Sequence, residues 1–355
     1  MTTGNYRRLA LAVVVVGTLL RVVPTVAQNE SFTVMDLGTL GGSRSSAYGI
    51  NASGQIVGVS TTANGSTRGF IYDNGSLVEV GTFGGRDSLA YAISDFGTVT
   101  GRAQNALGDF RAFVTSSTTG LIDLTGLDTA FAAPFSTGTG VNARGDVVGY
   151  RQQATEHQAA RTRAFLFSNA SITDLGTFGG EDAVLTAVND QGTFVGFYST
   201  ESHADYASHR AFQVQQGGDA QDLGTLGGTL TTPVAINNRG LVAGFAQRRS
   251  GESEAFVYQG GRLTALGMLP GGRQSFAYGV NEPGDIVGAS EAGDGSLHAT
   301  LYRGGRIIDL NAAIPSTSGW RLIEARDINE AGVIVGTGII GGSQRGFRLT
   351  PARGQ

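Results

Sequence analysis

Three short phrases recur in the same order along this chain, at a period that restricts it to stacked or ring-forming architectures. The first is DLGTLGG at Asp36, with variants at Glu79, Asp174 and Asp222 and weaker copies at Asp123, Ala265 and Asp309. The second is GINASGQIVG, followed by AISDFGTVTG, GVNARGDVVG, AVNDQGTFVG, AINNRGLVAG, GVNEPGDIVG and DINEAGVIVG. Its closing glycines, Gly58, Gly101, Gly149, Gly196, Gly244, Gly288 and Gly336, are spaced by 43, 48, 47, 48, 44 and 48 residues. The third phrase is RGFIY, RAFVT, RAFLF, RAFQV, EAFVY, HATLY and RGFRL. The chain is therefore one unit repeated seven times.

Each unit reads as four short strands. A strand ending in Ile-Asn or Val-Asn turns through Asn-x-x-Gly into an IVG-like strand. A loop of variable length leads to an AFVY-like strand, and a tight turn such as Asp73-Asn74-Gly75 leads to a fourth ending in DLG. Glycine and asparagine supply the positive φ that such turns demand. No stretch carries helical periodicity. Four strands in about 45 residues, repeated, predict an all-β, seven-bladed β-propeller of four-stranded blades. A β-solenoid is the rival, but its coils are usually shorter and it needs capping ends. Residues 32–38 (FTVMDLG) form a lone fourth strand, and the chain stops after a third strand, RGFRLTP. The N-terminal strand is thus expected to complete the last blade and close the ring, leaving no open edge.

Ahead of the repeats, Arg7 and Arg8 precede the apolar run LALAVVVVGTLL at 9–20, and Thr25 and Ala27 give a small-x-small site. This predicts a secretory signal over 1–27, with 28–355 as a single domain. Twelve apolar residues are too few for the roughly 20 of a spanning helix. The mature chain is expected outside the cytoplasm, extracellular or periplasmic, without a membrane span, and as a monomer. Sequons at Asn29, Asn51, Asn64, Asn74 and Asn169 match by composition alone.

Composition removes much chemistry. All 25 basic residues are arginine and there is no cysteine, which excludes lysine catalysis, disulfides and thiolate metal sites. A net charge of -4 with no basic block argues against nucleic acid. Charged residues are only 15% of the chain, too few for a coiled coil. No cofactor is expected. The GTLGG segments resemble phosphate loops but precede strands, so the helix N-terminus that holds phosphate is missing.

In combination, DLGTLGG, IN-x-x-G-x-IVG and AF resemble the HAF family of probable extracellular repeats, over nearly all of the mature chain. The His of the His-Ala-Phe phrase is mostly Arg here, and His298-Ala299-Thr300 comes nearest to the full phrase. The resemblance implies bacterial export and repetition, and no established reaction.

The residue before the small-Phe pair runs Arg68, Arg111, Arg163, Arg210, Glu254, His298, Arg345. The residue opening the DLG phrase runs Glu79, Asp123, Asp174, Asp222, Ala265, Asp309, with Asp36 completing the series for Arg345. The acid in the basic slot, Glu254, meets Ala265, and this joint change predicts a salt-bridge ring. Function then belongs to departures from the repeat. The loops between second and third strands vary most. They carry Arg151, Glu156 and His157, then Glu201, His203, Asp205, Tyr206 and His209, then Arg248, Arg249 and Glu252. Ligand binding is expected at Glu156, His157, Glu201, His203, Asp205, Tyr206, His209, Arg248 and Arg249. A metal at His203, Asp205 and His209 fits no strong motif. First-strand residues from Tyr48-Gly49 round to Arg326-Asp327 are expected around the axis. The leading expectation is a non-catalytic module binding a glycan, peptide or surface partner. The alternative is a hydrolase or lyase using Glu324, Arg326 and Asp327, of which the last two are positioned to pair.

Overall fold

The structure, a computed structural model, describes residues 30–116, 120–127, 133–153, 161–199 and 208–352. The expected signal segment lies outside them. The described residues form strands, turns and one short 3-10 turn, Ser316–Ser318, and none of their helices is long and apolar enough to cross a membrane.

Each repeat folds as an antiparallel meander of four strands. In the first repeat these are Gly41–Ile50, Ile56–Thr62, Thr67–Asp73 and Ser76–Glu79. The fourth and fifth meanders are joined into one sheet by a single parallel pair, His209 with Leu230. The last meander runs Trp320–Ile328, Ile334–Ile340 and Ser343–Pro351, and its fourth strand is Phe32–Asp36. Phe32 pairs with Pro351 and Asp36 with Phe347, as expected of a lone N-terminal fourth strand.

The repeated phrases are explained by packing. The Phe of the third phrase is wholly buried at Phe70, Phe113, Phe165, Phe212, Phe256 and Phe347. The glycine closing the second phrase lies beneath it: a Cβ on Gly58 would come within 2.0 Å of the Ser46 carbonyl and 2.9 Å of the Phe70 ring. The asparagine is more than a turn residue. Asn51 Oδ1 accepts from Gln55 N at 2.9 Å, closing the turn, while its Nδ2 reaches the Ser94 carbonyl of the next repeat at 3.1 Å. The same amide links Asn142 to Asn189, Asn189 to Asn237, Asn237 to Asn281, Asn281 to Asn329, and Asn329 back to Asn51. The series breaks only after Ser94, which has no amide.

The charge pairs form in most repeats. Arg68–Glu79 (2.6 Å), Arg163–Asp174 (2.9 Å), Arg210–Asp222 (3.0 Å), His298–Asp309 (2.7 Å) and Arg345–Asp36 (3.7 Å) all meet. Buried Glu254 finds a substitute partner, Arg248 at the end of the preceding strand, Val242–Arg248. The second repeat departs from the expectation. Arg111 turns to Asp109, and Asp123 accepts from Thr125 N and Gly126 N instead. The acid also has a second use: Asp36 accepts from Gly38 N and Asp222 from Gly224 N, so it caps the crossing to the next repeat.

Candidate functional site

Every first strand carries a β-bulge at one position. The register slips across Tyr48, Tyr91, Thr139, Thr186, Val234, Tyr278 and Arg326 in turn. A bulge leaves one residue outside the ladder and re-aims its side chain. All seven bulged residues line one axial chamber of about 550 Å³. The residue that follows is small in six repeats because the first strands crowd the axis: a Cβ on Gly140 would sit 3.0 Å from Ala187 Cα.

Below the chamber stands the residue before the turn asparagine, or before Ser94 in the second repeat. Ile93, Val141, Val188, Ile236 and Val280 line both this chamber and a second, of about 260 Å³, on the side of the Asn-x-x-Gly turns. Asp95, Asp190, Glu282 and Glu330 surround that lower basin. Their carboxylates link neighbouring repeats. Ala52 N donates to Asp95, Ala143 N to Asp190, Asn238 N to Glu282 and Glu282 N to Glu330. No group of three or more metal-ligating side chains occurs among the described residues.

The upper chamber is lopsided. Along one side stand Tyr278, Arg326, Tyr48 and Tyr91. Phe276 stacks on Tyr278, the Arg326 guanidinium lies 4.3 Å from the Tyr278 ring centre and 5.8 Å from that of Tyr48, and Tyr48 stacks on Tyr91 at 5.8 Å. Outside the chamber lining, Arg102 lies 5.9 Å from the Tyr91 ring centre, 4.5 Å from that of Phe110 and 5.4 Å from that of Phe135, and Phe135 meets Tyr150. Such cation–ring contacts contribute roughly 0.5–2 kcal/mol each. Thr139, Thr186 and Val234 form the other side. Burial pushes the phenols of Tyr91 and Tyr278 up to about 12, so both keep their protons at neutral pH.

Glu324, Arg326 and Asp327 do not converge on a reacting atom. Arg326 pairs with Glu324 at 2.8 Å, not with Asp327. Asp327 occupies the slot that is Gly or Ala in the other repeats, and its carboxylate accepts from Ile50 N and Ile328 N, each at 2.9 Å. Burial pushes its carboxyl up to about 7 despite those two bonds.

Of the loop residues, Glu156, His157, Glu201, His203, Asp205 and Tyr206 lie outside the described residues. His209 is packed between the fourth and fifth meanders, its Nε2 2.7 Å from Thr232 Oγ1 and its ring 4.4 Å from that of Phe197. Arg248 is held by Glu254, and Arg249 is exposed. The first-strand residues stand around the axis as expected. Sequence reasoning passed over Thr137 and Tyr150, which line the chamber, and Arg102, which packs beside Tyr91. The signal for Arg102 was present: it follows the glycine of the second phrase, where the other repeats carry Val59, Tyr150, Phe197, Phe245, Ala289 and Thr337.

No family model matches this sequence, and no curated protein does. Solved structures do. The chain is similar to the β-propeller domain of the Trilobed protease from Pyrococcus furiosus, with a TM-score of 0.56 and 11% identity over 86% of this chain and 93% of that one. It is also similar to a puromycin-hydrolyzing peptidase of Mycobacterium tuberculosis (TM-score 0.55, 14% identity, 84% of this chain and 49% of that one). An acylaminoacyl peptidase of Pyrococcus horikoshii is a third (TM-score 0.51, 11% identity, 85% and 50%). The chain spans about half the length of these two peptidases. At such identities the likeness is one of fold: the protein is an all-β chain of β-propeller architecture.

Proposed function

We propose that this protein is an exported, non-catalytic β-propeller of the HAF-repeat kind that binds a ligand in its upper axial chamber. In this reading the propeller has seven blades, the sheet joined at His209 and Leu230 counting as two, and Phe32–Asp36 closes the ring. The observation that carries the reading is the run of Tyr278, Arg326, Tyr48 and Tyr91 along one wall of that chamber. Its volume of about 550 Å³ falls within the usual range for small-molecule sites. Flat rings backed by cations suit a glycan or an aromatic peptide side chain, and tyrosine and arginine are favoured where binding energy concentrates. A catalytic reading has less support, because Glu324 is tied to Arg326 and Asp327 to two backbone N–H groups.

The test is a glycan and peptide array screened with the purified full chain. Tyr48→Ala and Tyr278→Ala are each expected to abolish the binding found. An array without binders, or binding that survives both substitutions, refutes the reading. Cell fractionation tests export, which requires the protein outside the cytoplasm.

A further inference from the structure

Six described residues line both the upper chamber and the lower basin. Five are the aliphatic Ile93, Val141, Val188, Ile236 and Val280, and the sixth is Asp327. A carboxylate therefore stands at the chamber floor among apolar side chains. The scaffold does not call for it: the same slot is Gly49, Ala92, Gly140, Ala187, Ala235 and Gly279 in the other repeats, none with a side-chain acceptor. The bonds from Ile50 N and Ile328 N fix its place but use only part of a carboxylate's accepting capacity. Burial raises its carboxyl to about 7, and Asp95 and Glu330 push the same way, so its ionisation costs the fold stability. Arg326 is the one other charged residue of the described chamber lining, and Glu324 already pairs with it. The basin beneath adds Asp95, Asp190, Glu282 and Glu330, with no basic residue in its described lining. The axis is thus negative at its centre, and the charge at the chamber floor has no counter-ion among the described residues.

Resting on the reading that the upper chamber is the binding site, we infer that Asp327 is a subsite for a primary ammonium and that the ligand is a peptide presenting a lysine side chain. The chamber favours that guest because the acid lies at its far end, where it meets the lower basin. The positive group must therefore come at the tip of a slender chain. The four methylenes of a lysine pass between the tyrosine wall and Val234, and the ammonium donates to the Asp327 carboxylate at a lone pair that neither backbone N–H occupies. Tyrosine faces attract the cation on its way in. An ammonium beside Asp327 offsets what burial costs the carboxylate. Of the guests that flat rings suit, this selects a peptide over a glycan. Aromatic residues beside the lysine rest against Tyr48 and Tyr91, whereas the amine of a hexosamine is fixed to the sugar ring and does not reach ahead of it.

The experiment is calorimetric titration of the full chain with a tyrosine-lysine-tyrosine tripeptide blocked at both ends, and with the same tripeptide carrying acetyl-lysine, which keeps the stem and removes the charge. The free lysine is expected to bind about tenfold more tightly or better, as a hydrogen bond between charged groups requires. Asp327→Ala copies Ala92 of the second repeat, and Asp327→Asn keeps the shape without the charge; both are expected to fold and to erase the preference. Equal affinity for the two tripeptides, a preference that survives either substitution, or failure of both variants to fold overturns the inference. A glucosamine oligosaccharide or the arginine counterpart bound more tightly than the lysine tripeptide overturns the lysine assignment. Tripeptides bound alike and both lost in Tyr278→Ala refute the subsite while sparing the chamber reading; an array without binders refutes the chamber reading itself.

Discussion

The asparagine circuit makes the sharpest demand on experiment, because one repeat already lacks it. Asn189 is 5% exposed and makes three hydrogen bonds: Nδ2 to the Asn237 carbonyl at 3.0 Å, and Oδ1 from Gln191 N at 3.1 Å and Thr193 N at 2.9 Å. At a net of about 1 kcal/mol per bond, Asn189→Ala should cost about 3 kcal/mol. Asn189→Ser copies the second repeat, where Ser94 Oγ accepts from Thr98 N at 3.1 Å. It keeps an acceptor for the turn and gives up the amide, so about 1–2 kcal/mol is expected. The reverse change, Ser94→Asn, restores the missing link to the Asn142 carbonyl and should stabilise by about 1 kcal/mol. Urea titrations followed by intrinsic fluorescence read these differences as midpoint shifts at constant slope. If Asn189→Ser is as costly as Asn189→Ala, or if Ser94→Asn destabilises, the amide linkage between repeats is not what holds these turns.

Three further outcomes are expected. Asp327 keeps its proton up to about pH 7 when folded but loses it near pH 4 when unfolded; the folded state binds more protons between those values, so stability should fall as pH rises from 4 to 7 and level off above. Asp327→Asn should flatten that slope, and an unchanged slope in melting temperatures between pH 5 and 8 refutes the assignment. Exchanging Arg210 and Asp222 should be milder than either single reversal, with a coupling of at most about 1 kcal/mol for so exposed a pair; additive losses in the cycle reject pairing. The exchange of Arg163 and Asp174 should fail, because Arg151 also holds Asp174 at 2.6 Å. Deleting residues 30–40 removes buried Phe32 and Leu37 and bares the Ser343–Pro351 edge; light scattering should show self-association, and a monomer of unchanged melting temperature refutes the role of that strand.

Much of the fold was legible in the chain because each repeat states the same local rules again. The Asn-x-x-Gly turn needs a positive φ at its glycine, as at Gly54 (+85°), and the small-Phe phrase needs a glycine beneath the ring. Such requirements act within a few residues or across one hairpin, so seven copies with substitutions expose them. The lone strand at 32–38 and the missing fourth strand at the C-terminus likewise pointed to each other, since an unpaired edge is costly. The site was less legible. The first-strand residues were placed around the axis from the sequence, but the register slip at each of them was not, because alternation alone does not reveal a bulge. That Arg326 shares a wall with Tyr48, more than 250 positions away, depends on how neighbouring meanders pack. Arg326 and Asp327 are adjacent in sequence yet do not pair, because adjacent strand residues point apart and the crowded axis aims Asp327 at Ile50 N. The sequence determined the repeat, the turns and the buried phenylalanines, which are local. Only the tertiary structure decided which side chains meet around the axis, because that depends on the packing of one repeat against the next.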